Sequence, residues 1–261
     1  MMWMFATSAQ IDNKPGLELV AAGKGKGAQI GWYQAGENPR DLSGYQWRPL
    51  SPAGWIMSVI VLDMDGDGDV DLLTTDRKGK MRGCRWLENP GVLNISKSSK
   101  WKNHWVGGKD REVMFAHVAD LDQDGWKDIL VATRIPDELL WFRRLDQSGR
   151  KWEKRAFPFP VNTGHGKAVT VGDINLDGQP DVVISCGKAD PPKSGMFWMS
   201  YSKSGTGLKW TTHEISGPRG IKYDRIELLD LDADGDLDVI SCEERDQKKG
   251  LGVFWYENPT K

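Results

Sequence analysis

The nine residues Asp63 Met64 Asp65 Gly66 Asp67 Gly68 Asp69 Val70 Asp71 place carboxylates at alternate positions, and this spacing is the feature of the chain best suited to chemistry. It returns three times as D-x-[DN]-x-D-G-x-x-D. The copies hold Asp120, Asp122, Asp124 and Asp128; Asp173, Asn175, Asp177 and Asp181; and Asp230, Asp232, Asp234 and Asp238. Oxygens at alternate places of a tight loop can converge on one hard cation, and Gly at the sixth place lets the backbone turn sharply. The pattern predicts four structural calcium ions. Side chains would ligate from the first, third, fifth and ninth places, and a backbone carbonyl from the seventh, where Asp69, Trp126, Gln179 and Asp236 stand.

Other readings of the motif fit less well. An EF-hand needs a Glu at the twelfth place, where this chain has Thr74, Val131, Ile184 and Ser241. Asp-Met-Asp-Gly after an apolar strand also resembles the nucleophile loop of a haloacid-dehalogenase-type phosphatase, but a nucleophile does not recur four times. Acidic surface turns that bind nothing would not keep their carboxylates in register through four copies.

The loops begin 57, 53 and 57 residues apart, and a degenerate fifth copy precedes them. Its loop runs from Gln10 to Glu18, with Asp12 at the third place, Lys14 at the fifth and Pro15 in place of Gly. A lysine at a ligand position predicts that its ammonium replaces the ion there. Units therefore start near residues 1, 55, 112, 165 and 222.

Elements that could hold such loops are legible on either side. Apolar, β-branched runs lead into the Asp loops at 56–62, 113–119, 168–172 and 225–229, and leave them at 70–74, 128–133, 181–185 and 238–241. A third strand carries Trp32, Trp86, Trp141, Trp198 or Trp255, and a fourth carries Trp47, Trp101, Trp152 or Trp210. Four antiparallel strands repeated about every 55 residues make the blade of an all-β propeller. The recurrent Trp residues are expected to pack between blades. Only four fourth strands can be counted, so the last blade is expected to have three strands. A single propeller domain over residues 1–261 follows, either five-bladed or the C-terminal part of a larger ring.

Composition narrows the partners. The net charge of −2, from 35 basic and 37 acidic residues, gives no reason to expect nucleic acid. No apolar run approaches a membrane span, and no signal peptide is visible. Cys84, Cys186 and Cys242 form no C-x-x-C pair and are read as small hydrophobes.

With its four loops and the strands ending Trp86 Leu87 Glu88 Asn89 Pro90 and Trp255 Tyr256 Glu257 Asn258 Pro259, the chain resembles FG-GAP/VCBS repeat proteins, the integrin-alpha-like calcium-loop propellers. The resemblance implies an extracellular or periplasmic location. It leaves function open among adhesion, carbohydrate binding and carbohydrate cleavage.

In such a blade the Asp loops share one face, and the turns at the other strand ends are free for recognition. Those turns offer Trp55, Arg77, Arg111, Arg134, His165, Lys167, Tyr223, Arg225, Glu243 and Glu244 as a ligand-binding set, with Arg245 beside them on the last turn. The leading expectation is a non-catalytic module for carbohydrate, including anionic polysaccharide, or for glycoprotein. The runner-up is a polysaccharide lyase or hydrolase using His165, Lys167, Tyr223 and Arg225, and a third reading is a structural or adhesion propeller.

Overall fold

A computed structural model describes residues 1–204, 207–244 and 250–260; Arg245 lies outside them. The strands run in chain order as β1 (Met2–Ala9), β2 (Glu18–Lys24), β3 (Gln29–Gln34), β4 (Gln46–Pro52), β5 (Ile56–Leu62), β6 (Asp71–Asp76), β7 (Gly83–Glu88), β8 (Lys102–Gly107), β9 (Glu112–Ala119) and β10 (Asp128–Arg134). There follow β11 (Glu138–Arg144), β12 (Trp152–Pro158), β13 (His165–Gly172), β14 (Asp181–Gly187), β15 (Met196–Ser204), β16 (Gly207–Glu214), β17 (Tyr223–Leu229), β18 (Asp238–Glu243) and β19 (Gly252–Tyr256).

Each sheet takes its strands in sequence order: β1 to β4, β5 to β8, β9 to β12, β13 to β16, and the three-stranded β17 to β19. This is the all-β class of repeated antiparallel propeller blades that the repeat spacing implies, with five sheets in this chain. The chain separates into two compact units, Met1–Val113 with Arg144–Glu153, and Met114–Arg143 with Lys154–Lys261.

Apart from β5, the strands leading into and out of the Asp loops reach further from the loops than the sequence indicates. Bulges let pairing resume past the point where the apolar pattern stops, between Gly166 and Ala168, and between Tyr223 and Ile226. His165 therefore pairs with Gly187 at the start of β13 and is not a loop residue.

The first unit's core gathers Ile11, Val20, Ile30, Trp32, Ile56, Leu72, Leu87 and Trp101. Trp32, Trp86 and Trp141 are fully buried, as filler between sheets should be. Trp255 departs from that expectation at 42% exposure. It lies on β19, where among the described residues no fourth strand of its sheet covers it, whereas Trp86 and Trp198 stack on His104 and His213 of the strands beside them.

Candidate metal centres

The four Asp loops are built alike, and each place has its own task. The first-place carboxylate caps backbone N–H groups inside the loop: Asp63 accepts from Gly66 and Gly68, Asp120 from Asp124 and Gly125, Asp173 from Asp177 and Gly178, and Asp230 from Gly235. The fifth-place carboxylates Asp67, Asp124, Asp177 and Asp234 each accept from the N–H two residues on. The ninth-place carboxylates Asp71, Asp128, Asp181 and Asp238 are buried. Each accepts the second-place N–H, from Met64, Leu121, Ile174 and Leu231 respectively. Met64, Leu121 and Ile174 are themselves buried, which anchors their loops in the core.

The fourth place is left-handed in every unit: φ is 57° at Asn13, 80° at Gly66, 59° at Gln123, 58° at Leu176 and 64° at Ala233. Only Gly66 adopts this without steric cost. A branched-stem Leu held there shows the loop's hydrogen bonds outweighing a local cost of about 1 kcal/mol.

These residues fit a hard divalent cation. Asp63, Asp65 and Asp71, Asp120, Asp122 and Asp128, and Asp230, Asp232 and Asp234 each bring one oxygen within 4.8 Å of the others. Oδ1 of Asp65 and Oδ1 of Asp122, both at the third place, are buried and accept no hydrogen bond. A buried carboxylate oxygen without a donor is costly unless something else satisfies it. Burial pushes the Asp71 carboxyl up to about 7 and that of Asp181 to about 6, and burial followed by the charge of Asp67 raises Asp65. Crowded, buried carboxylates of this kind are stabilised by a cation among them. In the 173–181 loop the third place is an amide: Asn175 Oδ1 accepts the Asp177 N–H and Nδ2 donates to Asp177 Oδ2 at 3.1 Å.

The degenerate first loop closes on itself. Gln10 Nε2 donates to the carbonyls of Lys14 and Gly16, both at 2.7 Å, and Lys14 Nζ lies 3.3 Å from Asp12 Oδ2. Gln34 Nε2 also donates to Asp12, and buried Glu18 takes the Ile11 N–H as the ninth-place aspartates do.

Two places beyond each third-strand Trp supply a network that the sequence reading did not identify. The third residue after the Trp reaches back to the second-place carbonyl of the preceding loop. Asn89 donates to Ile11, Arg144 to Met64, Tyr201 to Leu121, and Asn258 to Ile174. The backbone N–H groups of Asn89 and Asn258 also bind the ninth-place Asp71 and Asp238, which gives the repeated Glu-Asn-Pro ending its structural role. The second residue after the Trp faces its own loop in two units: Gln34 holds Asp12, and Arg143 holds Asp122 and Asp124. Only the recurrence of Asn-Pro after Glu88 and Glu257 signals any of this in the sequence.

The predicted ligand residues divide by exposure. In the first unit Lys24, Arg77 and Lys78 lie 4.5, 4.6 and 5.2 Å from the Trp55 ring centroid. Arg77 also pairs with Glu112, and Arg111 with Asp110. In the second unit Arg134 ends β10, His165 Nδ1 sits 2.7 Å from Asp137, Lys167 is 3.0 Å from Asp224, and exposed Arg225 meets Glu227. Glu244 pairs with Lys222. Tyr223 is buried, its hydroxyl bound to Arg219 O and Tyr256. Glu243 is buried too, accepting N–H groups from Ile221, Lys222 and Leu251. Asp76 does the same for Gly54 and Trp55, and Asp137 for Gly166, so a carboxylate brace recurs at these turns.

Residues 120–184 match the FG-GAP-like repeat family. That stretch opens on Asp120 and contains two complete Asp loops, so this part of a chain of propeller class is similar to FG-GAP-type repeats. No curated protein matches it.

Proposed function

We propose that this chain is a calcium-stabilised, non-catalytic binding module for an anionic carbohydrate or the glycan of a glycoprotein. The Asp loops supply the calcium part: the side chains at places one, three, five and nine, with the seventh-place carbonyl, would hold the ion, which neutralises the clustered carboxylates and fixes the hairpin.

The recognition part rests on Trp55. Three cations converge on one indole at the strand ends remote from the loops, and among the described residues no carboxylate pairs with Lys24 or Lys78. Like charges held together on an aromatic face attract an anion. An extracellular or periplasmic setting suits this reading, because calcium sites of extracellular modules commonly bind at about 10⁻⁴ to 10⁻³ M. No helix among the described residues is long and apolar enough to cross a membrane.

Lyase chemistry is less well supported. Tyr223 has no exposed surface, and Asp137 orients His165 while also bracing the Gly166 backbone. A glycan array probed with calcium present tests the proposal. Binding to sulfated or uronate-bearing glycans, weakened by salt and by the Trp55→Ala, Lys78→Ala double variant, is expected; an array with no binding contradicts it.

A further inference from the structure

Among the described residues, the 120–128 loop has a guanidinium lying on two of its carboxylates. Arg143, on β11 two residues beyond Trp141, donates from Nε to Asp122 Oδ2 and from Nη2 to Asp124 Oδ2 at 2.6 Å. It thereby takes one oxygen from the third-place ligand and one from the fifth. The corresponding residues of the other sheets, Gln34, Glu88, Ser200 and Glu257, carry no positive charge.

In the 63–71 loop, Arg150 Nη2 approaches Asp65 only to 3.7 Å and donates instead to Glu88 at 2.8 Å. The 10–18 loop provides an internal precedent, since Lys14 places an ammonium on Asp12, its third-place carboxylate. Lys14 replaces a ligand, however, whereas Arg143 comes from a neighbouring strand and leaves all four aspartates of its loop in place.

We propose that Arg143 is a built-in competitor of calcium, so that the 120–128 loop binds the ion more weakly than the other three Asp loops. This rests on the calcium reading above. Forked guanidinium–carboxylate contacts are among the stronger hydrogen bonds of a protein. An ion that uses Asp122 and Asp124 must either displace these contacts or bind through the oxygens they leave over, such as Asp122 Oδ1, and in both cases it shares the site with a nearby positive charge. The loop with four aspartates would thus be weaker than the 173–181 loop, although Asn175 gives that loop one carboxylate fewer. The consequence is graded loading: three loops fill first, and the fourth fills only when calcium is abundant enough to overcome the charge of Arg143.

Trp126, at the seventh place of this loop and 38% exposed, provides a local reporter. Terbium titrations of the full chain should show sensitised emission in two phases. The later phase, identified as the one lost in Trp126→Phe, should need about tenfold more terbium or beyond. In Arg143→Ser it should move by about tenfold into the range of the first phase, and Arg143→Lys, which cannot fork across both carboxylates, should fall between. The order of filling in the unsubstituted chain tests the idea even if the Ser variant does not fold. Trp126-dependent emission that saturates together with the rest, or that is unmoved by Arg143→Ser, overturns the proposal. An absence of binding at every loop removes the calcium reading itself, and this competition with it.

Discussion

The first loop and the four Asp loops share a backbone and differ in who satisfies it. In both, the ninth-place carboxylate takes the second-place N–H, and the fourth residue is left-handed. At the first place, however, Gln10 donates to loop carbonyls, whereas Asp63, Asp120, Asp173 and Asp230 accept loop N–H groups and concentrate negative charge. The first loop carries its own cation in Lys14, whereas the Asp loops crowd several carboxylates together, and in the 120–128 loop Arg143 offsets two of them. The comparison separates two jobs that one motif performs. Shaping the hairpin needs the ninth-place acid, and holding an ion needs the first, third and fifth as well.

That separation can be broken experimentally. The largest effect should come from chelation. An ion that binds only the folded chain contributes about 2.7 kcal/mol per site at a hundred times its Kd. Calorimetry with and without chelator should therefore show a melting temperature lower by about ten degrees or more without calcium.

Asp71→Ala should cost about 2–4 kcal/mol without calcium, because it orphans the N–H groups of Met64 and Asn89, and more with calcium, because it also removes a ligand. Asp67→Ala, at an exposed fifth place, should matter only when calcium is present. In the first loop, Glu18→Ala should cost about 1–3 kcal/mol irrespective of chelator. Denaturant unfolding in both conditions distinguishes the three.

The smallest effect concerns Glu88. Burial raises its carboxyl, but hydrogen bonds from Lys102, His104 and Arg150 outweigh this and bring it down to about 2. A folded-state value below the unfolded one stabilises the chain above about pH 4.5, and that contribution is lost as pH falls toward 2. Roughly 1–2 kcal/mol should disappear over this window, discounted for the pair's partial exposure. The loss should be absent in Glu88→Gln.

The loops, the repeat and the propeller class were legible because carboxylate spacing and strand alternation are local patterns. Residues 56–62 form a strand with the bounds that the apolar run sets. What escaped depends on partners far along the chain. Leu176 and Gln123 give no sign of a left-handed backbone, which the loop imposes on them. Tyr223 and Glu243 look like surface residues in a charged stretch, yet Arg219, Tyr256 and the 221–222 backbone consume their polar atoms. Arg143 reads as an ordinary strand cation until β11 brings it beside Asp122.

Anomalous scattering from a crystal grown with saturating calcium tests the central claim most directly. Ions are expected in the 63–71, 120–128, 173–181 and 230–238 loops, with the Lys14 ammonium standing alone in the first. Empty Asp loops, or an ion between Gln10 and Glu18, would contradict the account.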